Sequence, residues 1–274
     1  MVKKINVTVL DNKMVTRHYG LMRLACEKPL GNVQPGQFIY LKLPTTAGGI
    51  PFLRRPFSIY DYELAGKKPV ISLLYKIVGQ GTKQMSRLKK GTSLNLLGPL
   101  GHGYKINKQA RTSILVAGGI GIAGIHLLLK QLNKLQTQKR IYLLLGVRTK
   151  SELYIPPVSK SSEIKVLLST EDGSYGECGF VTGLLEKVVT RLSPVEKKLI
   201  QVYACGPQAM AQAVAGVTMP LDIPCQLSLE ARMACGLGFC RGCVVPIYKN
   251  GIMSYASVCE DGPVFEARQI NPGI

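Results

Sequence analysis

Apolar and polar residues alternate in two different ways along the chain. In the first hundred residues, short apolar runs are separated by turn residues, as in the segments 33–43, 57–61 and 70–78. The N-terminal segment 1–10 alternates apolar and polar positions, as a half-buried strand does. Closely spaced strands of this kind favour a β-barrel, which we expect over residues 1–106.

From about residue 112 the chain alternates apolar strands with amphipathic helices. Such alternation predicts a parallel sheet covered by helices, here an α/β domain over residues 107–222. The expected strands are 112–117, 140–146, 164–169 and 199–204, and the expected helices are 121–135, 180–192 and 207–216.

Residues 223–274 form a third segment, rich in glycine and cysteine, that is too small to hold a stable core without a metal. The formal charge follows the same three segments. It is +13 over residues 1–106, +6 over 107–222 and zero over 223–274, within a total of +19. We therefore expect a multidomain β plus α/β protein with a small C-terminal module.

Four cysteines of the third segment carry the strongest chemical signal in the sequence. Their spacing is C-x4-C-x2-C, with a fourth cysteine after fifteen intervening residues, which is the plant-type spacing for a [2Fe–2S] cluster. Each iron needs two thiolates, and Gly236, Gly238 and Gly242 let the backbone aim its N–H groups inward. We therefore expect an iron–sulfur centre held by Cys235, Cys240, Cys243 and Cys259.

Two other uses of these cysteines remain open from the sequence alone. A structural zinc site normally has paired C-x2-C knuckles or added histidines, whereas these spacings are unequal and none of the three histidines lies nearby. A disulfide framework needs an oxidising compartment, and the N-terminus lacks the apolar stretch of a secretory signal. We expect a soluble, cytoplasmic protein whose remaining cysteines are reduced: Cys26, Cys178, Cys205 and Cys225.

The basic charge does not indicate a nucleic-acid-binding protein. Lysines and arginines are spread singly and in pairs, without an arginine-rich tail, zinc-finger spacing or RNA-recognition motif. A dispersed solvated surface explains the excess, and attraction for an acidic partner or for anionic nucleotides is the alternative. The longest apolar run, 114–129, contains four glycines and a histidine, so we expect no transmembrane helix.

Two glycine-rich segments precede expected helices and suit phosphate groups. The segment 79–82 (Gly-Gln-Gly-Thr) leads toward a helix over 83–89, although a plain turn explains it about as well. The segment 118–124 follows a strand and contains the G-x-G-x-x-G pattern of nucleotide-binding loops. The next strand ends at Arg148, where a standard Rossmann fold places a ribose-binding acid. We therefore expect a related nucleotide-binding α/β domain rather than a standard Rossmann fold.

The order of these motifs resembles that of the ferredoxin reductase superfamily. Residues 55–58 (Arg-Pro-Phe-Ser) resemble its R-x-[YF]-S flavin motif, and residues 79–82 resemble its second flavin motif. Residues 118–124 and 204–207 (Ala-Cys-Gly-Pro) resemble its nicotinamide-domain signatures. The added cysteine module narrows the resemblance to the electron-transfer subunits of dihydroorotate dehydrogenase B, and the resemblance spans essentially the whole chain.

This resemblance implies an FAD-binding barrel, an NAD-binding α/β domain and a [2Fe–2S] module. Arg55 is expected to bind the FAD pyrophosphate, since a guanidinium matches phosphate oxygens, and Ser58 to lie near flavin N5. The full set of expected flavin contacts is Arg55, Pro56, Phe57, Ser58, Leu74, Tyr75, Lys76, Gly81 and Thr82. Ordinary barrel core is the alternative for Phe57, Leu74 and Tyr75.

In the second domain the resemblance implies that Gly119 and Gly121 approach NAD(H) and that Cys205 lies beside the nicotinamide. A small buried apolar side chain is the alternative for Cys205. Asp172 is expected to accept a ribose hydroxyl and to favour NAD, whereas Arg148 argues for a 2′-phosphate.

The function implied by the resemblance is electron transfer between NAD(H), FAD and the cluster. The electrons go to or come from an FMN-containing dihydroorotate dehydrogenase catalytic subunit of pyrimidine biosynthesis, in a heterotetramer. The nearer alternative is a sister subunit that serves an NADPH–ferredoxin oxidoreductase or a sulfide dehydrogenase. The more distant alternative is a zinc-stabilised binding protein without enzymatic activity.

Overall fold

The computed structural model describes residues 3–45, 52–65, 68–135, 140–157, 164–249 and 251–270. The strands are β1 Lys3–Met14, β2 Tyr19–Cys26, β3 Phe38–Lys42, β4 Arg55–Ser58, β5 Asp61–Ala65, β6 Lys68–Lys76, β7 Ser93–Leu100, β8 Thr112–Gly118, β9 Arg140–Val147, β10 Ile164–Thr170, β11 Glu177–Cys178, β12 Ile200–Cys205, β13 Cys225–Ser228, β14 Val244–Lys249, β15 Ile252–Ser257 and β16 Val264–Glu266. The α-helices are α1 Gln80–Met85, α2 Ile122–Asn133, α3 Val181–Thr190, α4 Pro194–Lys197 and α5 Gln208–Thr218.

The first seven strands form an antiparallel sheet that curls into a half barrel, in the order β4-β3-β7-β1-β2-β6-β5. Its alternating apolar positions, such as Val7 and Val9 of β1, fill the inside of the half barrel. Strand β3 faces two ways, as a strand must. Ile39 and Leu41 pack inside the half barrel, whereas Phe38 and Tyr40 pack with the parallel sheet and the cysteine segment.

The second sheet has the order β11-β10-β9-β8-β12-β13-β16 and is parallel except for its last pair. Its central strand β8 is buried at every position, because helices cover both faces. Helix α2 lies between this sheet and the half barrel, and α3 and α5 cover the other face. The predicted combination of a β-barrel domain and a parallel α/β domain is confirmed.

The C-terminal segment contributes two strands to the second sheet. Strand β13 lies beyond the predicted boundary at residue 222 and pairs with β12, and β16 then adds an antiparallel edge. Between them, the cysteine loop leads into the hairpin of β14 and β15. The three domain boundaries stay predictions.

The predicted helices and parallel strands of the second domain agree with the observed ones to within two residues. In the first domain, the helix expected over 83–89 differs from the observed one. It begins at Gln80 and ends at Met85, so Gly81 and Thr82 lie inside its first turn. No helix in the described part of the chain is long and apolar enough to cross a membrane.

Candidate functional site

A cavity of about 660 Å³ opens between the half barrel and the parallel sheet. Every residue predicted to contact FAD lines it: Arg55, Pro56, Phe57, Ser58, Leu74, Tyr75, Lys76, Gly81 and Thr82. The cavity arises because β4 and the end of β6 present their outer face to the start of α2. We call this space the flavin cavity.

The back of the flavin cavity brings together residues from both sheets. A methyl group at Gly124, in α2, would lie 2.9 Å from Cys205 Sγ and 3.6 Å from Ser58 Oγ, so these two polar atoms converge there. Cys205 is buried, and burial, assisted by the charge of Glu230, raises the pKa of its thiol to about 12. The thiol is therefore neutral and apolar in character at the end of β12.

The open side of the flavin cavity carries the groups suited to phosphate. The Arg55 guanidinium points back to its own chain, donating to the carbonyl oxygens of Leu53 at 2.8 Å and Arg54 at 3.1 Å. It is half-buried, so it can exchange these carbonyls for a bound anion. Across the opening, Thr82 Oγ1 accepts hydrogen bonds from the N–H groups of Val78 and Gly79 at 2.9 and 3.2 Å, which fixes the turn.

Tyr75 contributes its ring to the flavin cavity but not its hydroxyl. The hydroxyl donates to Asn12 Oδ1 at 2.9 Å, inside the half barrel. Its ring packs edge-on to Phe57, with centroids 6.5 Å apart. Leu74 and Tyr75 are both buried and line the cavity, but Tyr75 packs in the core of the half barrel and Leu74 in the core between the half barrel and the parallel sheet. The Tyr75 hydroxyl is thus engaged by Asn12, and the contact of Tyr75 with the flavin stays a prediction.

A second cavity, of about 600 Å³, lies at the carboxyl ends of the parallel strands, where this class of sheet binds nucleotides. We call it the nucleotide cavity. Gly119 lines it, whereas Gly121 and Cys205 line the flavin cavity instead. Its walls come from strand ends, loops and the first turns of helices: Gly118, Gly146, Arg148, Glu171, Phe180, Thr182, Pro207 and Met210.

Asp172 does not line either cavity. It is exposed, and its carboxylate accepts hydrogen bonds from the hydroxyl and the N–H of Ser174 at 2.6 and 3.0 Å. These bonds lower the pKa of Asp172 and stabilise its own turn. The neighbouring Glu171 lines the nucleotide cavity, although Asp172 was the acid expected from the sequence.

Three residues belong to the walls of both cavities: Lys76, Ile120 and Glu230. Lys76 Nζ lies 3.1 Å from Glu152 Oε2, and Arg148 binds the other oxygen of Glu152 at 3.0 Å. Burial raises the pKa of Glu230. Glu152 and Glu230 were not predicted at these cavities, because neither lies in a motif of its own.

The four predicted cysteines come together beside the flavin cavity. Backbone N–H groups point at their sulfurs: Leu237 and Cys240 at Cys235 Sγ (both 3.4 Å), Gly238 at Cys259 Sγ (3.2 Å) and Gly242 at Cys240 Sγ (3.4 Å). Donors of this kind stabilise the negative charge of an iron–sulfur cluster. The loop therefore has the donor pattern that such a cluster needs.

The sulfurs form two neighbouring pairs. Cys240 contacts Cys235, and Cys243 contacts Cys259. Burial alone would raise the pKa of Cys235, but N–H groups of Cys240 and Leu237 lower it to about 7. Burial, with Cys243 beside it, raises the pKa of Cys259 to about 12. Two pairs match two irons that each take two thiolates.

The fold and these three sites define a class, the flavin- and nicotinamide-dependent reductases with an added iron–sulfur module. A chain of the NADH-dependent reduced ferredoxin-NADP oxidoreductase has the same fold, with a TM-score of 0.81, 24% identity and coverage of 97% of this chain and 90% of that one. A ferredoxin NADP+ reductase from Neisseria gonorrhoeae, with bound FAD and NADP, matches with a TM-score of 0.64 and 17% identity, covering 80% of this chain and 92% of that one.

Sequence comparison makes the assignment specific. Residues 230–271 match the model of the iron–sulfur cluster binding domain of dihydroorotate dehydrogenase B, and residues 115–216 match that of the oxidoreductase NAD-binding domain. The electron transfer subunit of dihydroorotate dehydrogenase B (NAD(+)) from Caldanaerobacter subterraneus subsp. tengcongensis is 34% identical, covering 97% of this chain and 98% of its own. The Listeria innocua subunit is 38% identical, covering 88% and 89%.

The chain belongs to the family of dihydroorotate dehydrogenase B electron transfer subunits. The predicted family is therefore confirmed, and with it the prediction of an electron-transferring oxidoreductase subunit of pyrimidine biosynthesis. The family assignment favours neither the sister subunits nor the zinc-stabilised binding protein.

Proposed function

We propose that this chain carries electrons between NAD(H), an FAD in the flavin cavity and a [2Fe–2S] cluster in the cysteine loop. It exchanges them with an FMN-containing dihydroorotate dehydrogenase catalytic subunit. FAD, when bound, converts between two-electron hydride transfer and one-electron transfer, and the protein sets distance and orientation.

The observation that carries this proposal is the order of the three sites. The flavin cavity shares Lys76, Ile120 and Glu230 with the nucleotide cavity on one side. On the other side it is lined by Met233, two residues before Cys235. Sites arranged in this order suit a chain of electron carriers with the flavin in the middle.

Individual residues take the following roles in the proposal. Arg55 and Thr82 bind the FAD pyrophosphate, and Ser58 hydrogen-bonds beside the reactive edge of the flavin. Cys205 packs against the nicotinamide as a neutral thiol. Gly119 lies against the nucleotide, and Glu171 rather than Asp172 accepts a ribose hydroxyl, because Glu171 lines the nucleotide cavity. Cys235, Cys240, Cys243 and Cys259 hold the cluster.

The proposal includes a heterotetramer with the catalytic subunit. It also includes a cytoplasmic location, where free thiols and iron–sulfur ligands stay reduced. The family assignment supports a catalytic partner, since the relatives are named as electron transfer subunits.

The proposal is tested by co-expressing this chain with its catalytic subunit in iron-replete cells and purifying the complex without oxygen. We expect about two irons and two sulfides per chain, the content of one such cluster, together with FAD. Cys240→Ser should strongly lower the iron content, whereas Cys178→Ser, which changes an exposed cysteine outside the loop, should not.

One zinc per chain without iron would contradict the cluster. A complex that carries iron but no FAD would contradict the flavin cavity. Failure of the two subunits to purify together would contradict the proposed partner while leaving the cofactors standing.

A further inference from the structure

Tyr40 joins the half barrel to the loop that holds the cysteines. Its side chain is almost completely buried, with 1% exposed. Its hydroxyl lies 2.9 Å from the carbonyl oxygen of Met233 and 2.7 Å from that of Ala234, and it donates to this pair. These are the last two carbonyls before Cys235, so the bond fixes the backbone that leads into the first cysteine.

The ring of Tyr40 supports the same loop just after Cys235. Gly236 has a φ of +72°, and a Cβ at this position would lie 2.9 Å from Tyr40 Cδ1. The ring therefore packs directly against the turn, and a side chain at residue 236 would push the turn away. Tyr40 thus contacts the cysteine loop on both sides of Cys235.

Tyr40 is also tied to the flavin cavity by its place on β3. Phe38, two residues earlier, lines the flavin cavity, and Tyr40 itself pairs with Pro56 of the flavin-motif strand β4. Two residues of a strand span roughly 7 Å. On the loop side, Met233 lines the flavin cavity and Cys235 again follows two residues later. The Tyr40 hydrogen bond therefore joins two segments, β3 and the residues before Cys235, that each reach the flavin cavity two residues away.

We propose that Tyr40 is a positioning residue whose hydroxyl fixes the distance and orientation between the flavin cavity and the cysteine loop. This inference rests on the proposed function for the identity of the two cofactors. Electron transfer slows steeply as the separation of two centres grows, so a loop released from the half barrel transfers electrons more slowly. The released loop also opens more often and exposes its cysteines.

The test compares Tyr40→Phe with a matched variant in the complete complex. Tyr60→Phe is the control, because it also removes a buried tyrosine hydroxyl of the half barrel. That hydroxyl bonds the Tyr154 hydroxyl at 3.1 Å and makes no hydrogen bond to the cysteine loop. Three measurements are made without oxygen: iron release to a chelator, the electron paramagnetic resonance spectrum of the reduced cluster, and stopped-flow bleaching of flavin and cluster after NADH addition.

We expect Tyr40→Phe to release iron roughly fivefold faster, the factor expected for losing one buried hydrogen bond, and to transfer electrons between flavin and cluster more slowly than the wild type. Its cluster spectrum should shift or broaden, because the N–H groups aimed at the sulfurs move with the loop. Bleaching of the flavin by NADH should stay unchanged. Tyr60→Phe should match the wild type in all three measurements.

Equal iron release, spectra and transfer rates in Tyr40→Phe and Tyr60→Phe would overturn the proposal. So would a Tyr40→Phe protein that cannot be purified with both cofactors, since such a residue is required for assembly rather than for positioning. Wild-type protein without iron or flavin would instead contradict the proposed function, before any variant is compared.

Discussion

The flavin cavity and the nucleotide cavity are adjacent and similar in volume, yet they are built in different ways. The wall of the flavin cavity comes mainly from short contiguous segments of the half barrel, around residues 55–58, 74–76 and 79–82. The wall of the nucleotide cavity comes from several segments at the ends of the parallel strands, around residues 118–120, 146–148, 179–182 and 207–213, with Glu152 and Glu171 added singly.

This difference decides what a motif can predict. All four residues of the motif 55–58 line the flavin cavity, so recognising that one motif recovers a whole patch of its wall. A cavity assembled from strand ends depends on how far each loop reaches, which spacing along the chain does not specify. The predicted acid Asp172 accordingly binds its own turn, and Glu171 lines the nucleotide cavity.

The largest effect is expected at Gly121, which lines the flavin cavity next to Ile120, a residue of both cavity walls. A Cβ there would lie 2.5 Å from the carbonyl carbon of Cys205 and 2.9 Å from Gly206 N, both backbone atoms that cannot rotate away. Gly121→Ala should therefore separate α2 from β12 and shift both cavity walls. We expect the rate of flavin bleaching by NADH to fall by roughly 100-fold, as a displacement of about 1 Å can cause.

Gly183→Ala is the matched control, because a Cβ at Gly183 in α3 meets nothing within 4 Å. It should leave both the bleaching rate and FAD content unchanged. A Gly121→Ala protein with normal bleaching would show that the nucleotide loop adapts independently of the flavin cavity.

Arg55→Ala tests the flavin cavity alone. Removing one charged hydrogen-bonding partner costs about 1.5–3 kcal/mol, so the affinity for FAD should fall by roughly tenfold or more. Arg87→Ala, which removes an exposed arginine outside the cavity, should have no such effect. Flavin titration of the apoprotein measures both variants, and unchanged FAD affinity in Arg55→Ala would place its guanidinium outside the pyrophosphate site.

Much of the fold was predictable because its signals are local. The strands and helices of the second domain follow from apolar periodicity, and the four cysteines from their spacing. The attachment of β16 to β13 was not predictable, since a three-residue strand carries too little periodicity and its partner lies almost forty residues away. Tyr40 and Glu230 were likewise not predictable, because their roles depend on contacts between segments that are distant in the sequence.

A third prediction concerns the contact between α2 and the half barrel. His126 is buried and stacked on Tyr60 at 4.2 Å, and burial, with Lys130 nearby and Asp61 opposing, lowers its pKa to about 4. The unfolded chain takes up a proton near pH 6.5 and the folded chain does not until about pH 4. The free energy of unfolding should therefore decrease as the pH is lowered across this window, by about 1.4 kcal/mol between pH 7.5 and 5.5.

Urea denaturation at the two pH values measures this loss. His126→Phe keeps an aromatic ring and cannot be protonated, so its stability should lose about 1.4 kcal/mol less than the wild type over the same interval. His18→Gln, a change in a half-buried histidine outside this contact, should retain the wild-type loss. An unaltered pH dependence in His126→Phe would assign the acid sensitivity to other groups.

The smallest effect decides which acid serves the nucleotide cavity. Glu171 lines that cavity, whereas the Asp172 carboxylate is occupied by Ser174. Glu171→Gln should raise the KM for NADH by roughly fivefold, about 1 kcal/mol for one hydrogen bond, and should improve the use of NADPH because a negative charge is removed. Asp172→Asn should leave both values unchanged. Steady-state reduction of a dye by the purified subunit gives these values for NADH and NADPH. If the rise in KM follows Asp172→Asn instead, the turn rearranges around the nucleotide, and the acid expected from the sequence is the one that selects NAD.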